Sequence, residues 1–399
     1  MLVLSSDTKS RSLTAVSCSS NPVHDSSIYT PSIRGGIETG GVTLSRPAKF
    51  RYLLRGLTAS EVPAWTYFCA SCFSYKDNPP PASYFARHYH NDPQKDCSLI
   101  RVAFKLKDGD NEGLGQEVEE IVSSVRIFLR TVSNGNDQPI RAAGIGEVCT
   151  SSNHRRQGLA GALLSDALRI VDHLNIPLSM LHAAPEFRPN YEKVGFRSVR
   201  SAWTAAPFRI SSEGGMGEVR DLDLSDNNIS LVLANIHRTY SESRLFGCIV
   251  RSDEYWQQYL PQELGTALVG LHIEGTIVGY MSLMYRSGRY QLREFGADLT
   301  KITTSQALRR MLLSAIRALG EPEADIGGTT IQQELLLPQM VWEEVKSEGH
   351  DKERDCHVSF DLDRAIEAND DGWMWRGDKG QKPEWDGTRR CTIWPSDNF

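Results

Sequence analysis

"HRRQGLAGALL", His154–Leu164, sets two arginines, a glutamine and two glycines against an apolar run. From Leu159 the apolar residues recur at 159, 160, 163, 164, 167, 168, 170, 171 and 174, with Asp166, Arg169 and Asp172 turned away from them. That is the stripe of an amphipathic helix. "RAAGIGEVCT" before it and "IPLSMLHA" after it read as strands. A helix N-terminus carries unpaired N–H groups and a partial positive charge, and glycine lets an anion approach the backbone. Gly158 and Gly161 provide that access, and Arg155 and Arg156 add charge beside it, so the stretch suits a pyrophosphate. It is neither a P-loop nor a dinucleotide-binding fingerprint, because the GK[ST] ending and the GxGxxG spacing are both absent.

The chain has 399 residues, 40% of them hydrophobic, enough for two domains with buried cores. Its net charge of −6, with acids and bases mixed throughout, argues against a general nucleic-acid binder. No apolar run is long enough to cross a membrane as a helix. The eight cysteines are scattered without a disulfide framework, and Cys69 and Cys72 read as core thiols of a helix rather than as metal ligands. No metal site is expected.

Residues 1–45 are Ser- and Thr-rich and poor in carboxylates, which reads as a disordered tail. The expected location is cytoplasmic, with organelle targeting by the Ser-rich N-terminus as the alternative. A folded unit is expected over 46–210. Thr58 and Glu61 stand at capping-box spacing before a helix through Phe73. "PASYFARHYH" is a second helix, and "CSLIRVAFKL", "IVSSVRIFLRTV" and "RAAGIGEVCT" are strands, the last two antiparallel across the turn "NGNDQP". "PEFRPNYEKV" is a short helical turn that Gly195 ends, and "FRSVRSAWTAAPF" returns as a strand.

"SSEGGMG" marks a linker at 211–218. The second unit, 219–340, contains helices at "NISLVLANIHRTYS" and "DEYWQQYLPQ", three strands, and the amphipathic helix "SQALRRMLLSAIRALG". Residues 341–399 hold Trp373, Trp375, Trp385 and Trp394, too many for a disordered tail, so this segment is expected to pack onto the domains.

Arg155, Gln157, Gly158, Leu159 and Ala160 resemble the Q/R-x-x-G-x-G/A loop of the GNAT superfamily of acyl-CoA-dependent N-acyltransferases, and "YEKVGF" resembles its Y-x-x-x-G-F signature. Together with "SSVRIFLRTV", "GIGEV" and "SDEYWQQYL", they are similar to the tandem-GNAT proteins related to the enhanced-intracellular-survival acetyltransferases and to the fungal lysine N6-acetyltransferases. The resemblance spans about residues 50 to 340, its edges good to a few positions. It implies an α+β / α/β fold of two GNAT-like domains, each a mixed central sheet flanked by helices. The first would carry the acetyl-CoA loop. The second is degenerate, since "GADLTKITTSQALRRMLL" has no glycine pair at its helix start, and would instead wall the substrate cleft.

What the resemblance implies for function is transfer of an acetyl group from acetyl-CoA to a primary amine. Arg155, Arg156, Gln157, Gly158, Leu159, Ala160 and Gly161 would hold the pyrophosphate, and the backbone of Val148, Cys149 and Thr150 the pantetheine. Tyr191 stands where family members protonate the departing thiolate; the alternative is an aromatic ring packing beside the CoA tail. Glu147 reads either as general base or as a solvated or salt-bridged carboxylate; His182 reads as a further candidate base or as a structural histidine, and His154 as a loop residue without a chemical role. In the survival-type enzymes the chain's terminal carboxylate serves as base, which would put Phe399 in that role. The acceptor stays open among free lysine, a polyamine, an aminoglycoside-like amine and a protein lysine. The competing reading is a non-catalytic CoA-binding or interaction module.

Overall fold

In the computed structural model the Thr58–Glu61 spacing closes as a capping box, and the helix it opens is the first of eight α-helices among the described residues. The structure describes residues 27–29, 51–75, 78–107, 118–134, 138–210, 218–265, 267–320, 333–348, 358–377 and 392–397. Most of the expected tail, the linker at 211–217, Trp385 and Phe399 lie outside them.

The first stretch of chain runs β1 (Ser27–Tyr29), β2 (Tyr52–Gly56), α1 (Val62–Cys72), α2 (Ala82–His90), β3 (Ile100–Leu106), β4 (Val118–Asn134), β5 (Ile140–Thr150), α3 (Leu159–His173), β6 (Leu178–His182), α4 (Arg188–Glu192), β7 (Arg197–Ser198) and β8 (Trp203–Ile210). The second runs β9 (Val219–Asp221), α5 (Asn227–His237), β10 (Phe246–Ile249), α6 (Leu260–Glu263), β11 (Leu268–Ile273), β12 (Thr276–Arg286), β13 (Arg289–Ala297), α7 (Thr304–Ala318), β14 (Gln333–Pro338), α8 (Gln339–Ser347), β15 (Val358–Phe360), β16 (Ile366–Glu367) and β17 (Trp373–Gly377).

Two mixed sheets result, each flanked by helices. The first has the order β1-β2-β3-β4-β5-β6-β17-β7, with β10 also on β4; the second is β15-β8-β14-β13-β12-β11-β9, with β16 also on β8. Ser27–Tyr29, inside the stretch read as a tail, pairs antiparallel with β2. The apolar stripe of α3 buries Leu159, Leu163, Leu164, Ala167, Leu168, Ile170 and Val171 against one face of the first sheet. Trp65, Cys69, Phe85 and Tyr89 of α1 and α2 cover the other. α7 packs its stripe on the second sheet in the same way, burying Leu308, Met311 and Leu312.

Sequence order and spatial order part at two strands. "FRSVRSAWTAAPF" is not one strand of the first unit: it splits into β7, which stays in the first sheet, and β8, which pairs antiparallel with β14 in the second. In return, β17 from the Trp-rich segment pairs antiparallel with β6 in the first sheet. Both donated strands sit in the same place, next to the second member of a parallel pair, β5–β6 in one sheet and β13–β14 in the other. β10 adds to the exchange by pairing with the far end of β4. The physical reason lies in burial: Trp373 and Trp375 join Val132, Met180, Phe246, Ile249 and Ile393 in an apolar cluster drawn from both stretches of chain. Neither set of side chains leaves water without the other.

Candidate active site

β5 and β6 pair in parallel only over Ala142↔Leu178, Ala143↔Ser179 and Gly144↔Met180. Beyond Gly144 the two strands no longer pair, so the outer half of β5 keeps one edge without a strand partner. On its other edge, against β4, the register shifts between Ser124 and Arg126, and Glu147 there has φ +51°. This β-bulge breaks the period-2 alternation of the strand. Ala143, Ile145 and Val148 pack toward α3, whereas Cys149 joins the core under α1 and α2. Strict alternation would have placed Glu147 with Ala143 and Ile145. The bulge instead carries it into a polar cluster with His88 of α2.

That cluster is buried throughout. Glu147 is 4% exposed, and its Oε1 lies 3.4 Å from His88 Nδ1 and 3.5 Å from an Arg126 guanidinium nitrogen. Its Oε2 is buried and has no hydrogen-bond partner. Arg126 also donates to Asp92 at 3.2 Å, and Arg130 donates to both Asp92 oxygens at 3.1 Å. Burial alone would raise the Asp92 carboxyl; Arg130 and Arg126 outweigh it and hold the group below its ordinary value. The Tyr84 ring stacks on His88 at 5.5 Å, and from the second stretch of chain the Tyr259 hydroxyl is hydrogen-bonded to His88 Nε2. Burial pushes the Tyr84 and Tyr259 phenols well up, so both remain neutral donors. Glu263 and Arg293 are buried beside Tyr84, and burial brings Arg293 down to about 10.

The quoted loop takes the form its glycines allow. Arg156 has φ +61° and Gly158 φ +81°, the left-handed region that glycine adopts freely. Gly158 is the N-cap of α3, and no side chain caps the helix start. The first-turn N–H groups of Leu159, Ala160 and Gly161 therefore stay open to a ligand. A Cβ placed on Gly161 would meet nothing within 4 Å. Arg155 and Arg156 are exposed, and Arg155 Nε donates to the Thr150 carbonyl at 3.3 Å, tying the loop to the end of β5. The matching position of the second unit is closed. There Thr303 caps α7, accepting from Gln306 N at 3.3 Å while the Gln306 side chain returns to the Thr303 N–H.

Tyr191 lies on α4, half-buried against the α3 core and edge-on to Phe196 at 6.1 Å, and burial pushes its phenol up to about 12. No hydrogen bond joins it to Glu147 among the described residues. His182 donates to Asp370 at 2.9 Å and lines a cavity of about 360 Å³ with Trp203, Arg286 and Gln291, a cavity that Glu147 does not reach. His154 is buried, with Nδ1 3.0 Å from the Tyr52 hydroxyl, a structural contact. Cys69 is buried and Cys72 half-buried; both are free thiols beside Cys149. No cluster of His, Cys, Asp and Glu among the described residues is placed to hold a metal, and no helix among them is long and apolar enough to cross a membrane.

His88, Arg126, Arg130, Asp92 and Tyr259 belong to this candidate site, and sequence reasoning missed them. A signal was present: Arg126 and Arg130 bracket the apolar run Ile127–Phe128–Leu129 of a central strand, where unpaired charge is costly.

Residues 54–199 match the family model for the acetyltransferase (GNAT) domain. Over these residues the chain is similar to GNAT acetyltransferase domains. A likeness in fold extends beyond that match in solved structures. A probable N-acyltransferase from Enterococcus faecalis is 14% identical, with a TM-score of 0.52, and the likeness covers 83% of this chain and 73% of that one. A GCN5-related N-acetyltransferase from Anabaena variabilis, also 14% identical, has a TM-score of 0.51 over 82% of this chain and 72% of that one. At such identity the likeness speaks for the fold. No curated protein shows significant sequence similarity to the chain.

Proposed function

We propose that the chain is an acetyl-CoA-dependent N-acetyltransferase that moves an acetyl group to a primary amine, built from a catalytic GNAT domain and a degenerate GNAT-like second unit. The observation that carries the reading is the uncapped left-handed Gly158 at the start of α3, set behind a strand whose outer half has an unpaired edge. The residues present fit a CoA thioester. First-turn N–H groups and Arg155, Arg156 and Gln157 suit the pyrophosphate, with Gly161 leaving room beside them; Val148, Cys149 and Thr150 offer backbone groups to the pantetheine. The thioester supplies the activated acyl group.

Glu147 takes the proton from the acceptor nitrogen as it attacks the thioester carbonyl. Arg126 and His88 hold one of its oxygens, and the buried, unpartnered Oε2 is the one left to accept. Backbone N–H groups near Val148 to Thr150 face the developing oxyanion. Tyr191 gives its proton to the departing thiolate; burial keeps the phenol protonated until that moment. The tyrosinate then regains a proton and Glu147 releases one to water, so the site returns to its starting state. Thr303 caps α7 with its own side chain, which supports reading the second unit as a wall of the substrate cleft rather than a second CoA site.

The test is thiol release from acetyl-CoA with a panel of primary amines, followed by mass analysis of the amines. One acetyl added to at least one amine is expected. Tight acetyl-CoA binding with no amine acetylated would overturn the assignment in favour of a CoA-binding module.

A further inference from the structure

The two stretches of chain meet at His88. Its Nε2 is hydrogen-bonded to the Tyr259 hydroxyl from the second unit, and its Nδ1 lies 3.4 Å from Glu147 Oε1 in the first. The ring is stacked against Tyr84 at 5.5 Å, packed beside a tilted Phe128 ring at 5.6 Å, and 3% exposed. A carboxylate only accepts hydrogen bonds, so a bond to Glu147 requires the hydrogen on Nδ1. Nε2 of the neutral ring is then an acceptor, and the Tyr259 hydroxyl must be its donor. Tyr259 is itself set by the second unit. Its ring lies 4.7 Å from that of Tyr255, whose hydroxyl donates to Asp397 at 3.2 Å.

We infer that Tyr259 and His88 are positioning residues for acyl transfer: Tyr259 selects the Nδ1–H tautomer of His88, and His88 with Arg126 engages Oε1 of Glu147, leaving Oε2 to receive the proton of the acceptor amine. The second unit thereby completes the catalytic apparatus of the first, because without Tyr259 the imidazole is free to carry its hydrogen on Nε2 and present a lone pair to the carboxylate. This rests on Glu147 as base, and the tautomer itself can be read without any turnover.

The experiment combines side-chain nitrogen NMR of His88 in the full chain with steady-state kinetics of Tyr259→Phe, His88→Asn and His88→Leu. The wild-type ring is expected as the Nδ1–H tautomer, shifting toward Nε2–H in Tyr259→Phe. Tyr259→Phe should lower kcat about tenfold while the KM for acetyl-CoA stays within twofold. His88→Asn keeps a donor near the Nδ1 position and should retain several-fold more kcat than His88→Leu. The folded fraction of each variant, read from its thermal midpoint, separates these effects from unfolding. An Nε2–H tautomer in the wild type overturns the inference, as does Tyr259→Phe with unchanged kcat, or equal losses in His88→Asn and His88→Leu. If the wild type shows the Nδ1–H tautomer, lost in Tyr259→Phe, but acetylates no amine, the side-chain chain stands and the assigned reaction fails.

Discussion

At the scale of single residues the account turns on where protons sit. A proton donor to the thiolate must stay protonated, and burial raises the Tyr191 phenol to about 12. Raising the pKa of an acid extends its protonated form to higher pH. If Tyr191 is that donor, kcat should stay flat through pH 10, where an ordinary phenol would already be ionising, and fall only toward 12. A basic limb centred near 10 that persists in Tyr191→Phe would assign the limb to another group. Gly161 gives a second residue-level prediction. Replacing a glycine inside a helix by alanine stabilises by roughly 0.5–1 kcal/mol where there is room, and a Cβ here meets nothing within 4 Å. Gly161→Ala should therefore raise the unfolding midpoint of the free protein while raising the KM for acetyl-CoA severalfold, because the methyl occupies space assigned to the pyrophosphate. A higher midpoint with unaltered KM would remove Gly161 from that site.

Among the elements, the strand–loop–helix of the first unit was legible because its signals are local. The apolar stripe of α3 buries at the positions its period names, and the glycine before it takes the left-handed conformation that ends one element and opens the next. Glu147 was only half legible. Its place on β5 could be read, but its surroundings depend on a bulge, which arises from a register shift between two strands and leaves no mark in one strand alone. The exchange of β8 and β17 was hidden for a related reason. Trp203–Ile210 and Trp373–Gly377 look like strands wherever they pair, and which sheet takes them is decided by packing with residues far along the chain. Trp375 states that dependence most directly. It is fully buried and lies 5.6 Å from Phe246, on a strand donated to the other unit's sheet. Trp375→Ala should cost about 3–5 kcal/mol, measured by urea denaturation, and acetyl-CoA binding should weaken with it. A loss below about 1 kcal/mol would mean that β17 is dispensable to the first sheet.

For the whole molecule, the exchanged strands make the two units interdependent, and a buried charge cluster around Arg251 ties the second unit to the end of the chain. Arg251 is fully buried and bonds both oxygens of Glu294, at 3.1 and 2.8 Å, and both of Asp397, at 2.9 and 2.8 Å. Burial alone would raise Glu294, but the Arg251 guanidinium beside it holds it at about 2; Asp397 is pushed up by burial. Arg251→Met leaves two buried carboxylates without their cation, which should cost about 3–5 kcal/mol. Calorimetry of that variant should show one transition moved down as a unit; two separated transitions would show that the units melt independently. The exchange of strands is what would let the second unit serve the proposed reaction, whose assigned substrate loop lies wholly in the first. The most direct measurement of the central claim compares acetyl-CoA binding and amine acetylation in the wild type and in Glu147→Gln, which keeps the size of the side chain but removes its basicity. The account predicts an unchanged Kd for acetyl-CoA and a kcat lower by about 10²–10⁴-fold, and a Glu147→Gln enzyme that acetylates amines at the wild-type rate would contradict it.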